Sequence, residues 1–224
     1  MNKKITLSLA LLSFIFSANA QKGVADVVDN AIKYGRFDVA KKELYKLVRT
    51  QPNQGNHFYR LGVIHLKENN QDSANYYFKQ GLRAIKNPDV NNLGLGMLGL
   101  LTQKDKEAKS KFNAATLNIG PKDYQTYLDI AHAYTFAPKP DFDTALEFVN
   151  KALFVNLETP EPHIARGDIY FAEKQFVDAR RVYYETSKRF PDSHLPKMKL
   201  ADVLRAGNEF EDAIKVYDTI VNKD

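Results

Sequence analysis

Apolar and polar positions along this chain recur with a period near 34 residues, marked by one alanine per period: Ala40, Ala74, Ala108, Ala145, Ala179 and Ala213. Successive spacings are 34, 34, 37, 34 and 34 residues. Four residues after each alanine stands a large apolar side chain, namely Leu44, Phe78, Phe112, Val149, Tyr183 and Tyr217. That i, i+4 spacing puts both members on one face of a helix. Ahead of most of the alanines a polar turn ends in an acid or a hydroxyl, as in Gly35–Ala40, Lys174–Ala179 and Asn208–Ala213. Acids there fall in the first turn of the following helix, where the helix dipole favours negative charge. Twelve residues before most of the alanines lies a small residue, Gly62, Gly96, Gly167 or Ala201, with Ala131 fourteen before; two helices of one repeat can approach closely at such a point. Pro52, Pro88, Pro121, Pro160 and Pro191 close the second helix. The pattern predicts a helix-turn-helix pair in each of six repeats, stacked so that neighbours bury the apolar face that no repeat can bury alone.

These residues resemble the tetratricopeptide repeat family, whose 34-residue unit has a small residue at position 8, alanine at 20, an aromatic at 24 and proline at 32. The fifth repeat fits best, with Gly167, Tyr170, Ala179, Tyr183 and Pro191 at positions 8, 11, 20, 24 and 32. The repeats run about 21–54, 55–88, 89–123, 124–159, 160–193 and 194–224. The resemblance implies an all-α, right-handed α-solenoid of six helix-turn-helix repeats with a concave groove. It also implies a non-catalytic scaffold or adaptor that binds another protein through a peptide or helix in that groove. There are departures. Position 4, often tryptophan in the family, is Phe58, Asn92, Tyr127, His163 or Lys197, and the chain has no tryptophan. The first repeat has Val28 and Ala31 where small and aromatic residues are expected, and the fourth carries an insertion, Ala137–Pro140, whose two prolines stiffen a loop.

The family pattern turns positions 2, 5, 9, 12 and 13 of each first helix toward the groove. Repeat two then offers Asn56, Tyr59, Arg60, Val63 and Lys67, and repeat three Val90, Leu93, Met97, Leu100 and Leu101. Repeat four offers Gln125, Leu128, Asp129, His132 and Phe136; repeat five Glu161, Ile164, Asp168 and Phe171; repeat six Met198, Lys199, Asp202 and Arg205. Leu93 to Leu101 contains no polar residue, so its helix is either packed on every side or a greasy floor for a partner, with Met97 as the adaptable element. Basic character lies toward repeat two and acidic character toward repeats four to six. Such charges either set the polarity of a bound segment or are simply solvated. Some family members grip a C-terminal carboxylate with Lys and Asn at positions 5 and 9. The first repeat has Ala25 and Asp29 there, so no such clamp is implied.

The N-terminus changes the picture. Lys3 and Lys4 precede an apolar run from Ile5 to Phe16, and Ala18-Asn19-Ala20 supplies a small-x-small exit. This is the pattern of a secretory signal peptide over residues 1–20, too short to span a bilayer. Export to the periplasm, the outer envelope or the medium follows as an expectation, with no integral membrane span. The chain has no cysteine, so stability must come from packing without disulfides. A net charge of +5 falls to +3 without the two lysines and is not gathered into a stripe, which argues against nucleic acid as a partner.

Candidate chemistry is thin. Gly94-Leu95-Gly96-Met97-Leu98-Gly99 matches a dinucleotide fingerprint, but that motif works only between a strand and a helix. The five histidines, His57, His65, His132, His163 and His194, show no metal-ligand spacing. We therefore expect no cofactor, no metal and no enzyme, with His65 and His163 in packing positions. At the other end Ala213, Val216, Tyr217 and Ile220 form an apolar stripe with no polar-faced helix after it. Either that stripe meets a partner or a second copy in self-assembly, or the sequence is the N-terminal part of a larger envelope protein.

Overall fold

Five of the six turns that join the helices in pairs share one geometry. Gly35 (φ 67°), Asn69 (58°), Gln103 (56°), Lys174 (64°) and Asn208 (63°) are all left-handed. In each case the next residue donates its N–H back over the turn: Arg36 to the Ala31 carbonyl (2.8 Å), Asn70 to His65 (2.8 Å), Lys104 to Gly99 (2.8 Å), Gln175 to Tyr170 (2.8 Å) and Glu209 to Leu204 (2.9 Å). This is the Schellman ending, which satisfies a carbonyl the helix leaves open. Glycine and asparagine suit it, whereas Gln103 and Lys174 hold a strained backbone at a cost of about 1 kcal/mol each. Lys174→Gly is therefore expected to raise stability by about 0.5–1 kcal/mol, read as a higher urea midpoint; an unchanged or lower midpoint would contradict strain at this turn.

The computed structural model describes residues 26–221; the signal-peptide reading of residues 1–20 falls outside them. The described residues form twelve helices and no strand. The first, α1, covers 26–33. It is followed by α2 (Phe37–Thr50), α3 (Gly55–Lys67), α4 (Gln71–Gly81), α5 (Val90–Leu101), α6 (Asp105–Thr116), α7 (Gln125–Thr135), α8 (Phe142–Val155), α9 (Pro160–Ala172), α10 (Phe176–Arg189), α11 (His194–Ala206) and α12 (Phe210–Val221). Local signals set several starts. The Asn70 side chain accepts from the Ser73 N–H (3.0 Å) and that of Asp141 from Thr144 (3.0 Å), while Pro160 opens α9 where its missing N–H costs nothing. At the Ala137–Pro140 insertion, the loop from α7 to α8 is longer and Asp141 donates back to the Tyr134 carbonyl (3.2 Å).

The chain divides into two compact units between Gly94 and Leu95, within α5. In the first, Val28, Ala31, Ala40, Leu44, Leu61 and Ile64 form a fully buried cluster. The Phe78 ring is also fully buried and lies against the backbones of Gly62 and Gly94; a Cβ on either would stand 2.2 Å from its Cε1. Asn91, also fully buried, ties the start of α5 to the start of α3. Its Nδ2 donates to the Gly55 carbonyl (3.2 Å) and the Pro88 carbonyl (3.1 Å), and Gly81 leaves the space its amide fills. In the second unit Ile164, Ala179, Tyr183, Leu200, Val203, Leu204 and Ala213 form the core. Gly167 lets α9 and α10 meet, since a Cβ there would stand 2.4 Å from Tyr183 Cε1.

The glycine triplet of α5 serves packing. Gly96 lies against the Phe112 ring and Gly99 against Ala108, in mid-helix, so side chains occupy the space a pyrophosphate would need.

In the first unit His65 is nearly buried, stacked on Tyr77 with ring centroids 5.2 Å apart. The Tyr45 hydroxyl pairs with its Nε2 (3.2 Å). Glu68 lies 3.6 Å from its Nδ1, and Lys41 in turn pairs with Glu68 (2.5 Å). Burial pushes the His65 imidazole below its ordinary value; Glu68 pulls it up and Lys41 pushes it down. Burial also lowers His57 and His163. Because the folded values lie below the unfolded value of about 6.5, their contribution is fully present above that pH and falls as acid protonates the unfolded chain first. The urea midpoint should decline from pH 7 to pH 5, and His65→Phe should flatten part of that decline. A midpoint that holds or rises on acidification would contradict it.

Candidate protein-binding face

The first helices of the second unit, α7, α9 and α11, follow one another side by side, α9 touching both neighbours. Position 5 of these helices lies close to the packing line, and its side chain decides whether it is core or surface. Leu128 and Ile164 are buried, while their counterpart Met198 is 47% exposed. Phe136 is 58% exposed at the end of α7, with the exposed His132 ring 4.6 Å away. The surface on offer in this unit thus centres on His132, Phe136 and Met198.

Two of its carboxylates are tied down. Tyr183 donates its hydroxyl to Asp168 Oδ1 (2.6 Å), and Lys199 Nζ lies 2.8 Å from the same oxygen. One repeat on, Tyr217 donates to Asp202 Oδ1 (3.1 Å), with Arg205 3.5 Å away. Burial and the neighbouring Asp168 charge push the Tyr183 phenol up, so it stays a donor. Asp129 accepts from the Gln125 amide (2.9 Å), yet desolvation raises its carboxyl above the usual range.

In the first unit α3 carries exposed Asn56 and Lys67 beside half-buried Tyr59, Arg60 and Val63. Arg60 pairs with Asp29 of α1 at 2.9 Å. The Arg60–Asp29 and Lys199–Asp168 pairs have the same 31-residue separation. Each links a cation in one repeat's first helix to an aspartate in the preceding repeat's. The charges expected to set the polarity of a bound segment are therefore largely engaged within the chain.

The α5 residues narrow the face further. Leu93 is 2% and Leu100 6% exposed, Met97 is half-buried, and Leu101 is 40% exposed. Leu93, Leu100, Leu128 and Ile164 thus act as packing residues, because large aliphatic side chains there fill the space between adjacent helices. Along the C-terminal stripe Ala213 is buried, Val216, Tyr217 and Ile220 are half-buried, and the Tyr217 hydroxyl is held on Asp202. The apolar side chains that α12 exposes are Phe210 (56%), Ile214 (59%) and Val221 (72%). Among the described residues no group of three His, Cys, Asp or Glu side chains is arranged to hold a metal.

Known proteins with the same arrangement of paired helices carry tetratricopeptide repeats. The tetratricopeptide repeat family model matches residues 164–224, the last two helical pairs. Yeast Tom70 superposes with a TM-score of 0.61 at 19% identity, over 80% of this chain and 38% of that one. The fold is the tetratricopeptide fold. PilW, a type IV pilus biogenesis factor, shares it, with a TM-score of 0.58 at 14% identity over 88% of this chain and 90% of that one. Tetratricopeptide repeat protein 21A of Mus musculus is 24% identical over 122 residues, 53% of this chain. The chain spans only 9% of that curated relative's length. Tetratricopeptide proteins generally serve as protein-interaction scaffolds, and the fold is typically non-catalytic. No described helix is long and apolar enough to cross a membrane.

Proposed function

We propose that this protein is a non-catalytic scaffold or adaptor of the bacterial cell envelope that holds a peptide or helix of a protein partner across α7, α9 and α11. The observation that carries the reading is the exposure of Phe136, His132 and Met198 on that face, beside aspartates fixed by Tyr183 and Tyr217. Exposed aromatic and thioether groups beside fixed polar groups are the makings of a binding hot spot. The signal-peptide pattern of residues 1–20 supports the envelope as the place.

Phe136→Glu and Met198→Glu should each lower partner recovery, in affinity capture from envelope extracts, by about tenfold or more. Phe154→Glu, at a site 93% exposed on α8, should leave recovery unchanged. Equal recovery by all three, with unchanged circular dichroism, would reject this face as the binding surface.

A second reading, self-assembly through α12, is favoured by one observation. Phe210, Ile214 and Val221 lie along one side of that helix, and each is more than half exposed. Light scattering over a concentration series should show a dimer that Ile214→Asp abolishes; a monomer at every concentration rejects it.

A further inference from the structure

A second feature of the C-terminal unit lies on the hairpin of α9 and α10. A cavity of about 330 Å³ opens there, lined by His163, Arg166 and Tyr170 of α9 and by Arg181, Glu185 and Arg189 of α10, among others. The spacings 163, 166, 170 and 181, 185, 189 put each set on one helical face. Three guanidiniums thus line one small cavity with a single carboxylate.

The guanidiniums are only partly neutralised. Arg166 donates to the Asn150 amide oxygen (2.8 Å), a neutral partner. Arg189 lies 3.6 Å from Glu158, a side chain 88% exposed. Arg181 is shared between Asp178 (3.0 Å) and Glu185 (3.8 Å), both at the solvent edge. His163 adds no positive charge at neutral pH. Burial lowers its pKa; the Leu157 carbonyl and Glu158 pull it up, while Arg189 and Arg166 push it down. Its Nε2 pairs with the Leu157 carbonyl (3.2 Å), which fixes the ring at the cavity's edge.

Guanidiniums are planar, permanently charged and fork-shaped, and they suit an anion with several oxygens at tetrahedral spacing better than a single acceptor. The cavity is of the size of small-ligand pockets. We propose that it is an anion site that takes a phosphate group, with Arg166 and Arg189 as the binding side chains and Arg181 exchanging its surface carboxylates for the ligand. The site lies apart from His132, Phe136 and Met198, so it stands or falls independently of the binding face.

The test titrates the folded chain at low salt with phenyl phosphate, inorganic phosphate and acetate, following arginine side-chain N–H signals by nuclear magnetic resonance. Saturable shifts confined to Arg166, Arg181 and Arg189 are expected with phosphate, and no saturation with acetate. Arg166→Gln and Arg189→Gln should each weaken binding by about tenfold, whereas Arg83→Gln, in the other unit, should not. Unchanged thermal midpoints show that the variants remain folded. Stronger binding of phenyl phosphate than of the free ion marks an ester as the ligand, and equal binding marks the ion itself. Shifts that fail to saturate by about 10 mM, or equal weakening by Arg83→Gln, would overturn the proposal.

Discussion

Phe78→Ala should cost about 3–5 kcal/mol of stability, the range for deleting a fully buried aromatic. The ring has no exposed surface, and Gly62 and Gly94 present bare backbone to it. Without the ring, no side chain on either glycine can fill the space, and two helices would have to shift to close it. The loss is read from urea unfolding, together with faster hydrogen exchange of amides between residues 55 and 94. Phe154→Ala, at a side chain 93% exposed, should stay within about 0.5 kcal/mol of the parent. Similar costs for the two substitutions would show that the first unit is not built around Phe78.

Gly167→Leu carries the second large effect, about 3 kcal/mol or more. Two effects oppose each other here. Leucine gains about 1 kcal/mol of helix propensity over glycine, but its Cβ would stand 2.4 Å from the Tyr183 ring. Tyr183 cannot swing aside, being 1% exposed with its hydroxyl on Asp168 at 2.6 Å. Overpacking against a pinned ring therefore outweighs propensity. A double-mutant cycle decides the cause: with Tyr183→Ala in place, Gly167→Leu should cost far less, because the space it invades is vacant. Additive costs would mean that the close approach of α9 and α10 is not what Gly167 serves.

Much of this was legible before the structure. The alanine period and the apolar side chain four residues on mark the packed face of each second helix, and small residues at position 8 mark where the two helices of a repeat approach closely. Helical packing repeats locally, so a local pattern reports it. Exposure at the candidate face was less legible. Leu128 and Met198 hold equivalent positions, yet one is buried and the other is not, because the space between neighbouring helices, absent from any local pattern, decides the matter. The Asp168–Tyr183 and Asp202–Tyr217 hydrogen bonds share a separation of 15 residues. That spacing is visible in the sequence, but it acquires meaning only once the width of the hairpin is known. Asn91 was invisible for a different reason. A polar residue in an apolar helix reads as solvent-facing, whereas here its amide replaces backbone partners at the start of two helices. The α12 stripe shows the same limit: the sequence marks it as apolar, and contact with α11 determines which side stays exposed.

The central claim is that the partner lies on the face of α7, α9 and α11. Site-specific photocrosslinking in producing cells tests it most directly, with a benzophenone amino acid placed in turn at Phe136, Met198, Leu117 and Phe154. All four positions are exposed, so reactivity alone does not separate them. The account predicts that positions 136 and 198 trap one and the same protein, while 117 and 154 do not. Trapping of that protein from 117 and 154 as well, or of nothing from 136 and 198, would contradict it.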